Sequence, residues 1–417
     1  MTAGPGDVAA VAAGSTGAAK GAEPPEPESR THGWPLVACY AAVAGASQLL
    51  WLTYAPVTTA AAGHYGVSVA AIGWLANVFP LLYVVLAVPA GIALDRDPRR
   101  ALALGVLLTA LGGVVRLGGA GFGWALAGQL LVAVAQPFVL NAITGVAAAL
   151  PPRSRPTAIA VGSAGLFLGM VLALGAGAVV GGDDLRALMV GEAVVAVLAA
   201  VAYFVVRRRA PEPDRVDAAG VGELRRVWTD PVLRRIAVLA FLGFGVFVAL
   251  ITWLQALLEP RGVSEAAAGT IVTVAVAVGA VGSTVVAAVL ERRAVEVVLL
   301  RSALVVAVGG CAVLAATDGV AGAALGAILA VLAMLTALPW LLSLCERRAH
   351  RSVASATALL WLAGNLGGLV VAVLVGGLVD WPTAAFALLA AVAVLGIPLV
   401  RARALGLGAV VDDPVAA

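Results

Sequence analysis

The sequence predicts an all-α membrane protein with twelve transmembrane helices, and three observations predict it. Hydrophobic residues make up 62% of the 417 positions and charged residues 12%, against about 25% charged in an ordinary soluble domain. The apolar residues run in unbroken stretches of the length that crosses a hydrocarbon core as a helix, about 20 residues each. A membrane barrel would instead alternate in segments of about ten. Arginines cluster in every second interval between those stretches, the asymmetry that orients membrane helices.

From the N-terminus, residues 1–33 are rich in Ala, Gly, Pro and Glu and have no apolar block behind a basic region. They read as a disordered cytoplasmic tail, not a signal peptide. Apolar spans follow at 34–60, 70–94, 101–120, 123–150, 156–182 and 187–206, and again at 236–258, 266–290, 299–316, 320–345, 353–378 and 383–400. With the intervals set alternately inside and outside, all arginines but Arg116, Arg186 and Arg261 fall on one side. That places both termini in the cytoplasm of a multi-pass protein of the cell membrane. The stretch 207–235 carries eight arginines with Pro211 and Pro213 and reads as a cytoplasmic linker. The expected units are an N-terminal six-helix bundle over 34–206, a C-terminal one over 236–400 and a second cytoplasmic tail over 401–417.

The formal charge of +3 does not point to nucleic acid, because the arginines are scattered in loops beside spans and report topology. Cys39, Cys311 and Cys345 lie inside spans without the spacing of metal ligands or of a disulfide framework, so no metal and no cofactor are expected. The expected partners are a small-molecule solute and the lipid bilayer, with the chain working as a monomer.

After the second apolar stretch the chain reads Pro89-Ala-Gly-Ile-Ala-Leu-Asp-Arg-Asp-Pro-Arg-Arg100. Gly91 lets two helices approach closely, Asp95 can receive helix-end N–H groups or an arginine fork, and Arg96, Arg99 and Arg100 hold the turn on the basic side. This run resembles the loop between helices two and three of the major facilitator superfamily, whose pattern Gly-x-x-x-Asp-Arg-x-x-Arg-Arg is met by Gly91, Asp95, Arg96, Arg99 and Arg100. The resemblance implies the major facilitator fold of two six-helix bundles. The turn is then expected to act as a latch, with Asp95 pairing with Arg155 after the fourth span.

An internal echo supports two parallel repeats. At an offset of 196 residues, Asp95 falls on Glu291, Arg96 on Arg292 and Arg155 on Arg351, as six-helix repeats would require. On the fifth span Gly165, Gly169, Ala173, Gly177 and Gly181 recur every four residues, a small face for tight packing by another helix. Its end, Gly177 to Gly182, resembles the Gly-Pro-x-x-Gly-Gly motif of proton-driven drug exporters, with Ala178 in place of the proline.

Polar side chains within spans are costly and mark either function or helix–helix hydrogen bonding. They are Gln48, Asn77, Gln129, Gln136, Asn141, Gln255, Asn365 and Glu192. Glu192 is the one acid in this set, and an ion pair with Arg186 or Arg116 is the simpler expectation for it. Trp51-Leu-Thr-Tyr54, His64-Tyr-Gly-Val67, Trp74-Leu75 and Ala135-Gln-Pro-Phe-Val-Leu-Asn141 resemble first-half signatures of the feline leukaemia virus subgroup C receptor-related transporters. That family is linked to choline and ethanolamine uptake and to haem export. The resemblance implies a substrate pocket using Trp51 and Gln136, with Phe247 and Asn365 where the family has Tyr and Gln. Trp51 and Phe247 are again 196 residues apart, so the two rings are expected to face each other across a central cavity. A quaternary ammonium between such rings gains about 2 kcal/mol or more when desolvated.

The expected function is facilitated transport of a small choline- or ethanolamine-like solute by rocking of the two bundles, without proton coupling. The rivals are a proton-coupled exporter of amphipathic compounds and a non-transporting membrane receptor. No catalytic triad, phosphate loop or metal cluster is present to suggest an enzyme.

Overall fold

A computed structural model describes residues 33–151, 154–181, 184–208, 227–290, 295–349 and 353–401 together with Leu405. Expectations for the N-terminal tail, for most of the linker and for the repeated charges Glu291, Arg292 and Arg351 lie outside the described residues, as does the side chain of Asp95. Among the described residues, 12 helices are long and apolar enough to cross a membrane, from Trp34–Tyr65 to Pro382–Leu399.

The first span is broken. A helix over Trp34–Leu52 gives way to a 3-10 turn at Ala55–Val57, and a second helix runs over Thr58–Tyr65. Pro56 has no N–H to continue the helical ladder, which accounts for the break. Gly66, at φ 64°, closes the segment in the left-handed conformation that glycine adopts without strain.

The second span, Val69–Arg96, runs through Pro80 and Pro89, and the third starts at Pro98. The charged turn is therefore one residue long. Asp97 forms it, accepting from the Arg100 N–H at 2.9 Å and pairing with the Arg100 guanidinium at 3.2 Å. Gly91 and Arg96 are helical, and Arg99 donates to the Arg207 carbonyl at 2.6 Å, tying the turn to the end of the sixth span. The seventh span begins at Pro231, ahead of the expected 236, because Asp230 accepts from the N–H groups of Val232 and Leu233 at 2.7 and 3.3 Å. An aspartate N-cap followed by proline is a strong helix start.

The small face of the fifth span packs on the first. A Cβ added at Gly165 would sit 2.4 Å from the Ala41 carbonyl oxygen, and one at Gly169 2.0 Å from that of Gly45. The second half repeats the device, with Gly367 of the eleventh span against the Phe241 carbonyl of the seventh. Past Ala176 the fifth helix widens into a π-helical turn at Gly177–Gly181, where Gly177 meets Pro56. The halves meet where the second span packs on the eleventh and the fifth on the eighth.

Candidate functional site

At the end of the bundle opposite the termini the halves are tied together. Gln255 Oε1 accepts from the Thr59 N–H at 3.3 Å, and Gln255 Nε2 donates to Thr59 Oγ1 at 3.2 Å. Thr59 Oγ1 also donates to Glu259, and the Ala60 N–H donates to Glu265 at 3.3 Å. Thr59 and Gln255 are separated by the same 196 residues as the repeat, so they are equivalent positions meeting on the axis that relates the halves. Just below, Trp253 is buried and donates its indole N–H to the Ala372 carbonyl at 2.7 Å. Its ring fills the space that a Cβ on Gly73 or Gly376 would need. This end is closed.

Trp51 lies in the last turn before the break in the first span. Its indole N–H donates to the Ala76 carbonyl at 3.1 Å, and its ring packs on Phe79 at 6.1 Å. Ala76 can accept because Pro80, four residues on, lacks the N–H that would otherwise use this carbonyl. Gln136 is buried on the fourth span and makes no side-chain hydrogen bond among the described residues. Phe247 is buried on the seventh span against Phe244, with centroids 5.7 Å apart, and lines a cavity inside the second half. Asn365 donates to the Trp361 carbonyl at 2.9 Å. The four predicted residues are thus not gathered round one cavity in this closed arrangement. The Trp51 and Phe247 rings each pack within their own half, with exposures of 5% and 2%.

Other polar span residues serve helix packing. Gln129 donates to the Leu75 carbonyl at 3.3 Å, and Asn141 accepts from the Tyr83 hydroxyl at 2.7 Å. Of the expected latch residues, Arg155 donates to the Leu150 carbonyl at 3.2 Å.

A polar cluster is sealed inside the first half. Arg116 pairs with Glu192 at 3.0 Å, their side chains 0% and 3% exposed. Thr53, at the break in the first span, donates to Glu192 at 2.6 Å and accepts from Arg116 at 2.7 Å. The ion pair expected for Glu192 is made with Arg116. Arg116, inside the apolar stretch expected over 101–120, ends the third span and points inward, where its charge is satisfied. Arg261, just after the seventh span, folds back over the end of the ninth, donating to the carbonyls of Leu314, Ala315 and Thr317.

Sequence reasoning missed Thr53, Thr59, Trp253, Glu259 and Glu265 as contact residues. The 196-residue offset contains the signal for one pair, since it places Thr59 on Gln255. The others depend on which helix faces which.

Two pseudo-equivalent six-helix halves, each packed internally through close glycine contacts and joined at one end by hydrogen bonds between equivalent positions, define a polytopic membrane protein of two parallel repeats. The chain belongs to the Major Facilitator Superfamily, whose family model matches residues 36–372. It is 25% identical to solute carrier family 49 member A3 of Xenopus tropicalis over 271 residues, 58% of this chain and 55% of that one. The chain thus spans about half the length of that curated relative. It is 32% identical to choline/ethanolamine transporter FLVCR2 of Homo sapiens over 112 residues, 26% of this chain and 21% of that one. Among solved structures it is similar in fold to the nucleoside transporter NupG, with a TM-score of 0.69 at 11% identity over 87% of this chain and 98% of that one. The human organic anion transporter MFSD10 gives a TM-score of 0.66 at 18% identity over 91% and 100% of the two chains.

Proposed function

We propose that this protein carries a small choline- or ethanolamine-like solute across the cell membrane by rocking its two halves about a site between them. The observation that carries the reading is the pair of aromatic residues, Trp51 and Phe247, at equivalent depths in the first spans of the two halves of a chain related to a choline/ethanolamine transporter. As the halves rock, the two rings approach the solute's ammonium group, and Gln136 and Asn365 take its hydroxyl end. Both termini and the 207–235 linker lie in the cytoplasm, and the protein works as a monomer. A cysteine placed at Ala218 should then resist an impermeant thiol reagent added outside intact cells; labelling there would reverse the orientation.

Transport is uncoupled in this reading. Glu192 is held by Arg116 inside the first half, and the membrane potential drives a cation with about 2.3 kcal/mol per charge per 100 mV. The test is solute flux in proteoliposomes, with voltage clamped at zero by potassium and valinomycin. The uncoupled reading requires that an imposed pH gradient produce no accumulation. Accumulation driven by that gradient and lost in Glu192→Gln would establish the proton-coupled exporter instead.

Trp51→Ala should weaken solute binding about tenfold or more, since the cation–π energy exceeds about 1.4 kcal/mol, and Trp51→Phe should lose less. Equal effects of the two substitutions in a thermal-shift titration would leave Trp51 as packing. The charged turn is proposed to latch the end that carries the termini, through Asp95 and Arg155. Asp95→Ala should raise the reactivity of cysteines introduced at that end, and unchanged reactivity would count against the latch.

A further inference from the structure

The third and sixth spans, Pro98–Val115 and Leu185–Val206, pack antiparallel within the first half. Arg99 at the start of one meets the Arg207 carbonyl at the end of the other, and Gly113 near the far end meets Ala193. Each span carries one exposed apolar stripe at helical spacing: Leu104, Leu107 and Leu111 on the third, Leu198, Val201 and Val205 on the sixth. Exposed apolar surface of this extent on a membrane helix faces lipid chains. On the side of the termini both stripes run out into exposed arginines. Arg100 lies one turn before Leu104, and Arg208 lies one turn after Val205.

Between those two ends the guanidinium groups converge. Arg99 Nη2 donates to the Arg207 carbonyl at 2.6 Å, which draws a second positive charge to the end of the sixth span. The Arg207 guanidinium sits 5.8 Å from the Tyr203 ring centre and 5.4 Å from that of Phe204. Ring contacts position a guanidinium and leave N–H donors for an oxygen acceptor. Neither Arg207 nor Arg208 makes an ion pair among the described residues. Asp97, the described acid of this corner, is engaged by the Arg100 guanidinium at 3.2 Å. Arginines that served only as anchors would each reach separately for water; here they gather at one corner, directly above two lipid-facing stripes. A basic pocket between span ends is the surface that an anionic lipid headgroup fits, with the phosphate taken by guanidinium forks.

We infer that the ends of the third and sixth spans on the side of the termini form a binding site for an anionic phospholipid. Arg207 and Arg208 take the headgroup phosphate, with Arg99 beside them, and the acyl chains lie along the two apolar stripes. Such a lipid clamps the third span to the sixth at the foot of the charged turn. The site needs no transported solute, so its test is independent of the transport reading.

The experiment follows the melting temperature of the purified full chain in detergent as dioctanoyl phosphatidylglycerol, dioctanoyl phosphatidylcholine or inorganic phosphate is added. Phosphatidylglycerol should protect at a concentration at least about fivefold lower than phosphatidylcholine, the factor that one arginine near a membrane surface supplies. Inorganic phosphate at the same concentrations should not protect, because it has no chains for the stripes. Arg208→Gln should weaken the phosphatidylglycerol effect about fivefold, and Arg207→Gln/Arg208→Gln about twenty-fivefold. Arg234→Gln removes an exposed arginine near the start of the seventh span and should leave the effect unchanged. Equal protection by the two lipids overturns the site, as does a loss in Arg234→Gln as large as that in Arg208→Gln, which would mean diffuse attraction to basic charge. Protection by inorganic phosphate equal to that by phosphatidylglycerol would make the ligand a soluble anion and also overturn it. Should the double variant fold poorly, the lipid comparison on the unsubstituted protein and the exposed Arg208→Gln decide the matter.

Discussion

Arg116→Met is expected to cost about 3–5 kcal/mol of stability, because it leaves the Glu192 carboxylate buried without its counter-charge. Both side chains are sealed from water, at 0% and 3% exposure, and their contact is 3.0 Å. Thr53 adds a hydrogen bond to the same carboxylate oxygen at 2.6 Å, but a hydroxyl cannot replace a full positive charge. Glu192→Met should be damaging for the converse reason, since it strands the guanidinium. The double variant Arg116→Met/Glu192→Met removes both charges and should recover most of the loss, because apolar residues of similar volume replace a buried ion pair at little net cost. Thermal melting in detergent, followed by light scattering, reads all three. A double variant no more stable than either single one would show that the cluster is held by shape and not by charge.

The second expectation concerns the closed end. Gln255→Ala combined with Glu259→Ala removes the hydrogen bonds that join Thr59 to the second half. Hydrogen bonds to charged groups contribute about 1.5–3 kcal/mol each in protected sites, and Glu259 is exposed, which lowers its share. A shift of about 1.4–3 kcal/mol moves the balance between closed and open about ten- to a hundredfold. Spin labels at Ala70 and Ala266, equivalent positions in the two halves, should then show a longer distance gaining population. An unchanged distance distribution in the folded double variant would mean that Trp253, wedged against Gly73 and Gly376, closes this end without help from the polar groups.

Much of the architecture was legible without coordinates, because membrane spans announce themselves locally. An apolar stretch must form a helix to satisfy its backbone in lipid, so counting stretches counted the helices. Pro231 behind Asp230 starts the seventh helix by rules that involve neighbouring residues only. The glycines of the fifth span predicted a tight helix contact, and the contact exists, although nothing local said that Ala41 and Gly45 of the first span would supply it.

What tertiary structure alone decided was the partner of most polar side chains. The sequence left Glu192 to pair with either Arg186 or Arg116, and it is packing that chooses Arg116 and adds Thr53, residues 76 and 63 positions from their partners. Only packing of the first, third and sixth spans brings the three together. The same holds for the four residues proposed to meet the solute. Their chemistry was readable in the sequence, but whether Trp51 faces a cavity or gives its N–H to a carbonyl freed by Pro80 depends on the facing of two helices. Apolar pattern sets that facing weakly in a chain whose helices are hydrophobic all round; close glycine contacts and buried charge pairs set it firmly, and both form only once the helices have met.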